Sequence, residues 1–315
     1  MNVTEFPIVT ELRRSLAVPH ARFVLQTNAS LLHKVDTEYL LRMDTILCSV
    51  DGDAEVTNRN RGKNAYEKVV ANARDARDRG FKGDLIARMT VSNCSDIHRD
   101  VNHLLQIPYG DNATLFDHVH WQLDVQWDTP AYKSYDDFFA WRDKNYNPGI
   151  TKLADEFIAG IKEGKILGIT PFLGVIWSHL SGQKFETVRC SSGWESFNVA
   201  TNGDITACPI APEFRSLGNI TTLKKCSDVH YKEKVEEPCD TCEVLSECGG
   251  RCLYCNKTKW WNDEGFDEVC VTVKHFLKEI RERIMPVVRE LIDAGKFTQE
   301  DFHYPKYNNS TEIIP

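Results

Sequence analysis

Cysteines are the residues of this sequence with the clearest potential for chemistry, because seven of them follow a regular pattern in the second half of the chain. A first block holds Cys190 and Cys208. A second has the spacing Cys-x2-Cys-x5-Cys-x3-Cys from Cys239 to Cys252, and Cys270 closes the set. With 11 Cys in 315 residues, three further cysteines at fixed offsets would occur by chance about 4 times in 100,000. Thiolates bind soft metals, and a short Cys-x2-Cys spacing lets one loop supply two ligands, so the pattern predicts a metal-binding domain.

The composition excludes several classes of function. The formal net charge is −8 and the pI about 5.7, which argues against a surface that follows nucleic-acid phosphates. Residues 1–16 contain no uninterrupted apolar stretch that could serve as a signal peptide, and no apolar run elsewhere approaches a membrane span. We therefore expect a cytoplasmic protein without a nucleic-acid or membrane partner. In a reducing compartment, an odd total of 11 cysteines is better explained by metal than by disulfides.

The elements that must position these cysteines follow from the hydrophobic pattern. Residues 22–185 alternate short strand signals with longer amphipathic ones, which predicts an α/β domain with a mostly parallel sheet. Ser95 is the expected N-cap of one of the intervening helices. The predicted strands cover residues 23–27, 45–50, 84–91 and 119–125, with weaker evidence at 166–175.

Side chains alternate across a sheet, so the strands can be divided by face. Val119, Trp121, Leu123 and Val125 share the apolar face of the last strand. Polar groups at the C-terminal ends of parallel strands are where α/β enzymes place their chemistry. The alternative is an open sheet with one wet face, on which His118 and His120 are merely solvated. These two could also form a His-x-His zinc pair, but no third ligand is in evident reach. The polar face carries Gln26, Asn28, Ser49, Asp51, Arg88, Thr90, His118, His120, Gln122, Asp124 and Gln126.

The composition of the chain changes after the strands, where long apolar periods become few and Cys, Gly and Pro become frequent. This change predicts three domains at 1–185, 186–271 and 272–315. The middle domain has too few apolar periods to bury a core, so it needs metal for stability. The last is predicted as a helix that Pro286 kinks or splits and that stops near Gly295.

The two cysteine blocks, with Cys270, resemble the full pattern of the SPASM domain of radical S-adenosylmethionine (SAM) enzymes. The segment at 201–205, leading into Cys208 and Pro209, is similar to the hairpin between the first two cysteines of those domains. The resemblance implies two auxiliary 4Fe–4S clusters. One would use Cys239, Cys242, Cys248 and Cys270. The other would use Cys190, Cys208 and Cys252, with one iron left open.

Other interpretations of the cysteines remain open. A zinc-ribbon-like structural domain could use one closed four-thiolate site. Cys248, Cys252 and Cys255 also have the Cys-x3-Cys-x2-Cys spacing of a SAM-cleaving cluster, but the SPASM pattern already uses the first two, so Cys255 is interpreted as a spare thiol. The remaining cysteines are expected to be small core residues; they are Cys48, Cys94 and Cys226.

The upstream half also resembles a known family. The sequences Phe-Val-Leu-Gln-Thr-Asn at 23–28 and Ile-Leu-Cys-Ser-Val-Asp-Gly at 46–52 are similar to the middle of a radical SAM partial barrel. The resemblance implies that Ser49 and Arg61 contact SAM and that the strand with Gln122 and Leu123 packs along its adenosine. Ala29 departs from the family's Thr-Asn-Gly. The expected fold is therefore α/β, a partial (β/α) radical SAM barrel missing its first strands, followed by a small Cys-rich SPASM domain and a C-terminal helix.

The decisive elements of SAM cleavage do not occur before Gln26. Neither Cys-x3-Cys-x2-Cys nor Gly-Gly-Glu-Pro precedes it, so we expect an N-terminally truncated chain that cannot cleave SAM alone. The resemblance implies a radical SAM/SPASM enzyme that modifies a peptide or protein side chain, served by an electron donor such as ferredoxin or flavodoxin. Sulfatase-maturing relatives have an acidic base where this chain has Pro209, which disfavours their reaction. The alternatives are a non-enzymatic iron–sulfur electron-transfer or partner protein and a zinc-stabilised binding module.

Overall fold

The computed structural model describes residues 21–124, 135–210, 216–223, 225, 229, 233–259, 261–304 and 314–315. Its central element is a four-stranded parallel sheet, with helices in the connections between strands. The α/β prediction is therefore confirmed. Within these ranges, no helix combines the length and the apolar character needed to cross a bilayer.

The sheet has the order β1-β2-β3-β6, with every neighbouring pair parallel. Strands that are buried on both faces read as continuous apolar runs, and β2 follows this rule because its first four residues are all buried. The two remaining strands of this half, β4 and β5, form a short antiparallel hairpin. The bounds are β1 Val24–Thr27, β2 Thr45–Ser49, β3 Asp84–Val91, β4 Pro108–Tyr109, β5 Ala113–Thr114 and β6 His118–Leu123.

The weak strand signal at 166–175 is wrong. Ile169 makes an isolated parallel bridge to Val119, and a helix follows over Thr170–Ser181. This helix is buried along most of its length, and a short apolar run cannot be assigned to strand or helix by periodicity alone. Pro171 lies in its first turn, where a missing backbone N–H costs little.

Helices cover both halves of the chain. Ser95 is not the N-cap of the helix after β3, because the side chain of Asp96 accepts the cap hydrogen bond from the backbone N–H of Arg99 at 3.1 Å. Ser95 is buried instead, and its hydroxyl accepts from the backbone N–H of Ser92. The α-helices are Thr37–Leu40, Ala54–Arg61, Ala65–Asp78, Ile97–Leu105, Tyr135–Trp141, Asn147–Glu163, Thr170–Ser181, Leu245–Cys248, Leu253–Thr258, Asn262–Lys278 and Met285–Asp293.

The cysteine-rich half holds a small antiparallel sheet of β7 Asn198–Val199, β8 Asp204–Thr206 and β9 Ser216–Asn219. The predicted hairpin before Cys208 is thus present. Beyond it, a π-helical segment at Glu279–Ile284 leads into the last α-helix, whose first turn contains Pro286. The predicted stop before Gly295 is confirmed, but Pro286 does not split the helix: the backbone stays helical from Asn262 to Asp293, with π geometry just before Pro286. The three-domain division stays a prediction, since the buried side chains form one continuous cluster.

Gly52, in the turn after β2, is a glycine whose replacement should damage the fold at the C-terminal edge of the sheet. Its φ is +145°, and an added Cβ would lie 2.8 Å from Cγ of the buried Asp100. Gly52→Ala should therefore lower the free energy of unfolding by about 1–3 kcal/mol more than Gly80→Ala. Gly80 also has a positive φ, +93°, but no atom within 4 Å of the added Cβ. Urea denaturation followed by circular dichroism measures both, and equal losses would contradict the packing argument.

Candidate functional site: a sheet-edge cavity and a cysteine-lined cavity

A cavity of about 450 Å³ lies at the C-terminal edge of the parallel sheet. Its walls come from the segments that follow β2, β3 and β6, which are neighbours in the strand order. Two carboxylates and two guanidinium groups give it a formally balanced charge. This volume is in the range of pockets that bind small molecules. The lining residues are Asp51, Arg59, Asn60, Arg61, Thr90, Ser92, Asn93, Cys94 and Asp124.

Asp51 organises one wall of this sheet-edge cavity. Its side chain is 1% exposed and accepts two hydrogen bonds from Arg61, from Nε at 2.8 Å and from NH2 at 2.6 Å. The backbone N–H of Thr90 donates to the same carboxylate at 2.9 Å, and Asn60 donates at 3.3 Å. A carboxylate in a bidentate pair with arginine is held in a fixed geometry. Asp51 therefore ties the helix after β2 to the end of β3.

A second buried carboxylate supports the same turn from behind. Asp100 packs against Gly52 and accepts hydrogen bonds from Arg99 and from the backbone N–H of Asp96. Burial raises the pKa of Asp100 to about 6, against the opposing hydrogen bond and charge of Arg99. The nearby carboxylate of Asp53 raises it further.

The four residues predicted to contact SAM have different positions relative to this cavity. Arg61 lines it, with its guanidinium bound to Asp51. Ser49 ends β2 and is half-buried, in register with Arg88, and it is not among the described lining residues. Gln122 and Leu123 lie at the end of β6, next to the lining residue Asp124. Their roles toward SAM stay predictions.

Cys94 and the two histidines differ from expectation. Cys94 is exposed and lines the sheet-edge cavity, so the prediction of a core residue is wrong, whereas Cys48 is fully buried in β2 as expected. His120 is completely buried, and Nδ1 of His118 lies 2.8 Å from Asp84, so neither is merely solvated. Burial lowers the pKa of His118, but the hydrogen bond and charge of Asp84 outweigh it and leave that pKa raised. Val125, Gln126 and Cys226, which the sequence assigned to faces or core, lie outside the described residues.

A second cavity is lined by five cysteines and by apolar side chains. It encloses about 40 Å³ between the segment at 239–250 and the helices Leu253–Thr258 and Asn262–Lys278. Arg251 and Lys274 are its two cationic lining residues. The thiols are those of Cys239, Cys242, Cys248, Cys255 and Cys270.

Three of these thiols have raised pKa values. Burial raises the pKa of Cys239 to about 11 and those of Cys248 and Cys270 to about 12, and the neighbouring thiols raise all three further. A metal that binds here must displace the protons, and its positive charge then compensates the thiolates. Soft sulfur ligands around an apolar cavity are the donor set that iron–sulfur clusters use.

The other three predicted ligands do not line this cysteine cavity. Cys252 is the N-cap of the helix Leu253–Thr258, and Cys208 is buried just after β8. Cys190 follows Arg189, whose NH1 donates to the backbone oxygen of Glu247 at 2.7 Å. The segments with Cys190 and Cys252 therefore lie against each other. Since Cys252 is absent from the described lining, the cavity does not gather the Cys-x3-Cys-x2-Cys set at 248, 252 and 255.

The donor set fits a cluster better than a single ion. Within the described ranges, no three His, Cys, Asp or Glu side chains converge closely enough to hold one metal ion. A 4Fe–4S cluster places its irons at separate corners, so its ligands surround a space. Metal–sulfur bonds are much shorter than van der Waals contacts, so a bonded cluster needs less free volume than an unbonded ligand. A 4Fe–4S cluster with four thiolates carries about two negative charges in its oxidised form, which Arg251 and Lys274 would balance.

Sequence reasoning missed three features of these sites. It treated Cys255 as spare, although the helical turn after Cys252 brings its thiol to the cavity. It named Asp51 only as a member of the polar face, and the Asp-Gly turn was the available signal for its buried ion pair. It expected a core residue at Cys94, but β3 stops at Val91 and Cys94 lies exposed in the turn beyond.

Comparison with known proteins gives a match at the level of structure. No protein-family model matches the sequence, and no curated protein does. Native anSMEcpe with bound AdoMet and the Cp18Cys peptide is similar, with a TM-score of 0.68 and 17% identity over 92% of this chain and 82% of that one. Polyhistidine-tagged anSMEcpe with bound AdoMet gives a TM-score of 0.68 and 18% identity over 96% of this chain and 82% of that one. These TM-scores show that the chain shares the fold of anSME, which is an anaerobic sulfatase-maturating radical SAM/SPASM enzyme.

Asp100 should make the stability of the protein depend on pH. Its folded carboxyl binds a proton at higher pH than the unfolded chain does, so stability rises as the pH falls through about 6 toward 4. From pH 7.5 to 5, wild type should gain about 1 kcal/mol of unfolding free energy relative to Asp100→Asn, which lacks this proton. Paired urea titrations at the two pH values measure the difference. A constant difference, or one that favours the variant at pH 5, would show that Asp100 stays ionised.

Proposed function

We propose that this chain supplies the barrel and auxiliary-cluster domain of a radical SAM/SPASM-type enzyme that modifies a peptide or protein side chain. The observation that carries the proposal is that one chain with the anSMEcpe fold gathers Cys239, Cys242, Cys248 and Cys270 around one cavity. The resemblance to the SPASM domain implied these same four as the ligands of one cluster.

The sheet-edge cavity has the properties expected of a SAM site. SAM carries a carboxylate, an ammonium group and a sulfonium together with a ribose, and the cavity offers two carboxylates and two guanidinium groups. It lies outside the carboxyl ends of the strands, where open α/β sheets bind their ligands. The anSMEcpe structures contain AdoMet, and two of them also contain peptides, Cp18Cys or Kp18Cys. These features support SAM and a peptide as ligands of this protein.

The residues of this chain do not account for SAM cleavage. Its first cysteine is Cys48, inside β2, so the three-cysteine ligand set of a SAM-cleaving cluster is not among residues 1–315 in the expected place. No step of the reaction is therefore assigned to that cluster. The auxiliary clusters would supply electron-accepting or substrate-binding iron close to the peptide. The residue after Cys208 is the exposed Pro209, which has no carboxylate, so the proposal does not extend to the sulfatase-maturing reaction.

A non-enzymatic iron–sulfur electron-transfer or partner protein is the second candidate. It is favoured by the cysteine cavity, whose thiols and apolar lining suit an iron–sulfur cluster on their own. Such a protein would retain the cysteine cavity but would have no need of a polar cavity at the sheet edge. Binding of SAM at that edge therefore discriminates between the two functions.

The metal content tests the iron–sulfur part of the proposal. Protein purified without oxygen should contain about eight irons and eight acid-labile sulfides per chain, for two 4Fe–4S clusters. Cys239→Ala should lower iron by one to four atoms, while Cys94→Ala, which removes a thiol outside the cysteine cavity, should leave it unchanged. Zinc without sulfide would contradict the proposal and leave a zinc-stabilised binding module.

Equilibrium dialysis with radiolabelled SAM tests the sheet-edge cavity. Asp124→Asn should weaken binding about tenfold, because a hydrogen bond to a charged group contributes about 1.5–3 kcal/mol. The matched control is Asp111→Asn, at an exposed position outside the cavity lining. Equal binding by all three proteins would place SAM elsewhere, and no binding by wild type would favour the electron-transfer function.

A further inference from the structure

The cysteine cavity holds one thiol more than a four-ligand cluster needs. Four of its five thiols belong to the spacing pattern, and the fifth is that of Cys255. Its side chain lies on the helix Leu253–Thr258 and the residue is 3% exposed, so it is more deeply buried than Cys270. Cys255 is thus a wall of the cavity and not a surface thiol.

The five thiols reach the cavity from three separate elements. Cys239, Cys242 and Cys248 come from one continuous segment that ends in the helix Leu245–Cys248. Cys255 and Cys270 come from two further helices, Leu253–Thr258 and Asn262–Lys278. Three thiols of one segment can each take one iron. The fourth corner can then be closed from either helix.

The helix with Cys255 is fixed relative to the first three thiols. The side chain of Asn256 donates to the backbone oxygen of Glu236 at 3.0 Å and accepts from its N–H at 2.7 Å. Glu236 lies three residues before Cys239, so these two bonds hold the Cys255 helix against the start of the ligand segment. Asn256 is 1% exposed, and buried hydrogen bonds of this kind are costly to break.

Arg251 orients the fifth thiol and holds positive charge beside it. Its NH1 donates to Sγ of Cys255 at 3.5 Å, while Nε donates to the backbone oxygen of Pro315 at 2.9 Å. The guanidinium also lies 5.8 Å from the ring of Trp261. A cation that donates a hydrogen bond to a cysteine sulfur stabilises the thiolate, which is the form that binds iron.

Resting on the proposed iron–sulfur function, we propose that Cys255 is an alternative ligand of the cluster in this cavity, which replaces Cys270 at the fourth iron. When the exchange occurs, the Cys255 thiol loses its proton as its sulfur–iron bond forms. The Cys270 thiolate that leaves takes up one proton. Charge and ligand number are conserved, and no oxidant or reductant is consumed.

The test compares single cysteine variants of the same cavity. In Cys270→Ala, Cys255 should complete the cluster, so iron content and the Mössbauer spectrum should match wild type. Cys242→Ala removes a half-buried ligand of the continuous segment, which Cys255 is not proposed to replace. The cluster should therefore lose one iron, and the remaining oxidised 3Fe–4S cluster should give its EPR signal. Cys255→Ala should resemble wild type, while the Cys255→Ala/Cys270→Ala pair should lose at least one iron.

A Cys190→Ala/Cys208→Ala background removes the other predicted cluster, so that about four irons of the cysteine cavity are measured alone. Loss of iron from Cys270→Ala as large as that from Cys242→Ala would overturn the proposal. So would a double variant that keeps its four irons. The single variants decide the question if the double variant does not fold. Zinc without sulfide in wild type would instead overturn the proposed function, so the two failures are distinguishable.

Discussion

The buried guanidinium of Arg189 joins the two halves of the protein, the half with the parallel sheet and the cysteine-rich half. It donates to the backbone oxygen of Glu247 at 2.7 Å, to that of Gly174 at 2.8 Å and to the hydroxyl of Ser178 at 2.6 Å. The ring of Phe185 lies 4.1 Å from the guanidinium. Burial lowers the pKa of Arg189 to about 10, so it stays charged at neutral pH. NH1 and NH2 are thus hydrogen-bonded, while the buried Nε has no partner among the described residues. A buried charge is costly unless it is hydrogen-bonded, so these partners must remain in place.

Through these bonds, the half of the chain that contains the parallel sheet positions the cysteine segments. Gly174 and Ser178 lie on the helix Thr170–Ser181, which packs against β6, while Glu247 lies on the helix that ends at Cys248. Cys190 follows Arg189 directly. The side chain of Arg189 thus helps to fix the distance between the first cysteine, the ligand segment and the sheet, together with the contact of His179 with Glu247.

The sequence predicted the sheet well because its strands obey simple rules. β2 is a run of mostly apolar residues and β3 a run of mostly buried ones, and both ends of each strand were predicted to within one residue. The helix Thr170–Ser181 was missed because it is buried nearly all round and so shows no clear period of 3.6 residues. The buried position of His120 was missed for a related reason, since alternation shows which face a side chain shares but not what covers that face.

The residues of the candidate sites also differ in how far the sequence could predict them. The four ligands around the cysteine cavity could be predicted as a group, because the resemblance to the SPASM domain implied that Cys239, Cys242, Cys248 and Cys270 hold one cluster. Cys255 could not, because its place depends on the turn of one helix and on the hydrogen bonds of Asn256 to Glu236. The bond between Arg61 and Asp51 lies between these cases: the residues are ten apart, but only the helix after β2 turns the guanidinium back onto the carboxylate. A ligand in the sheet-edge cavity would therefore meet Arg61 as part of an ion pair, so the contributions of Arg61 and Asp51 to its binding would be coupled.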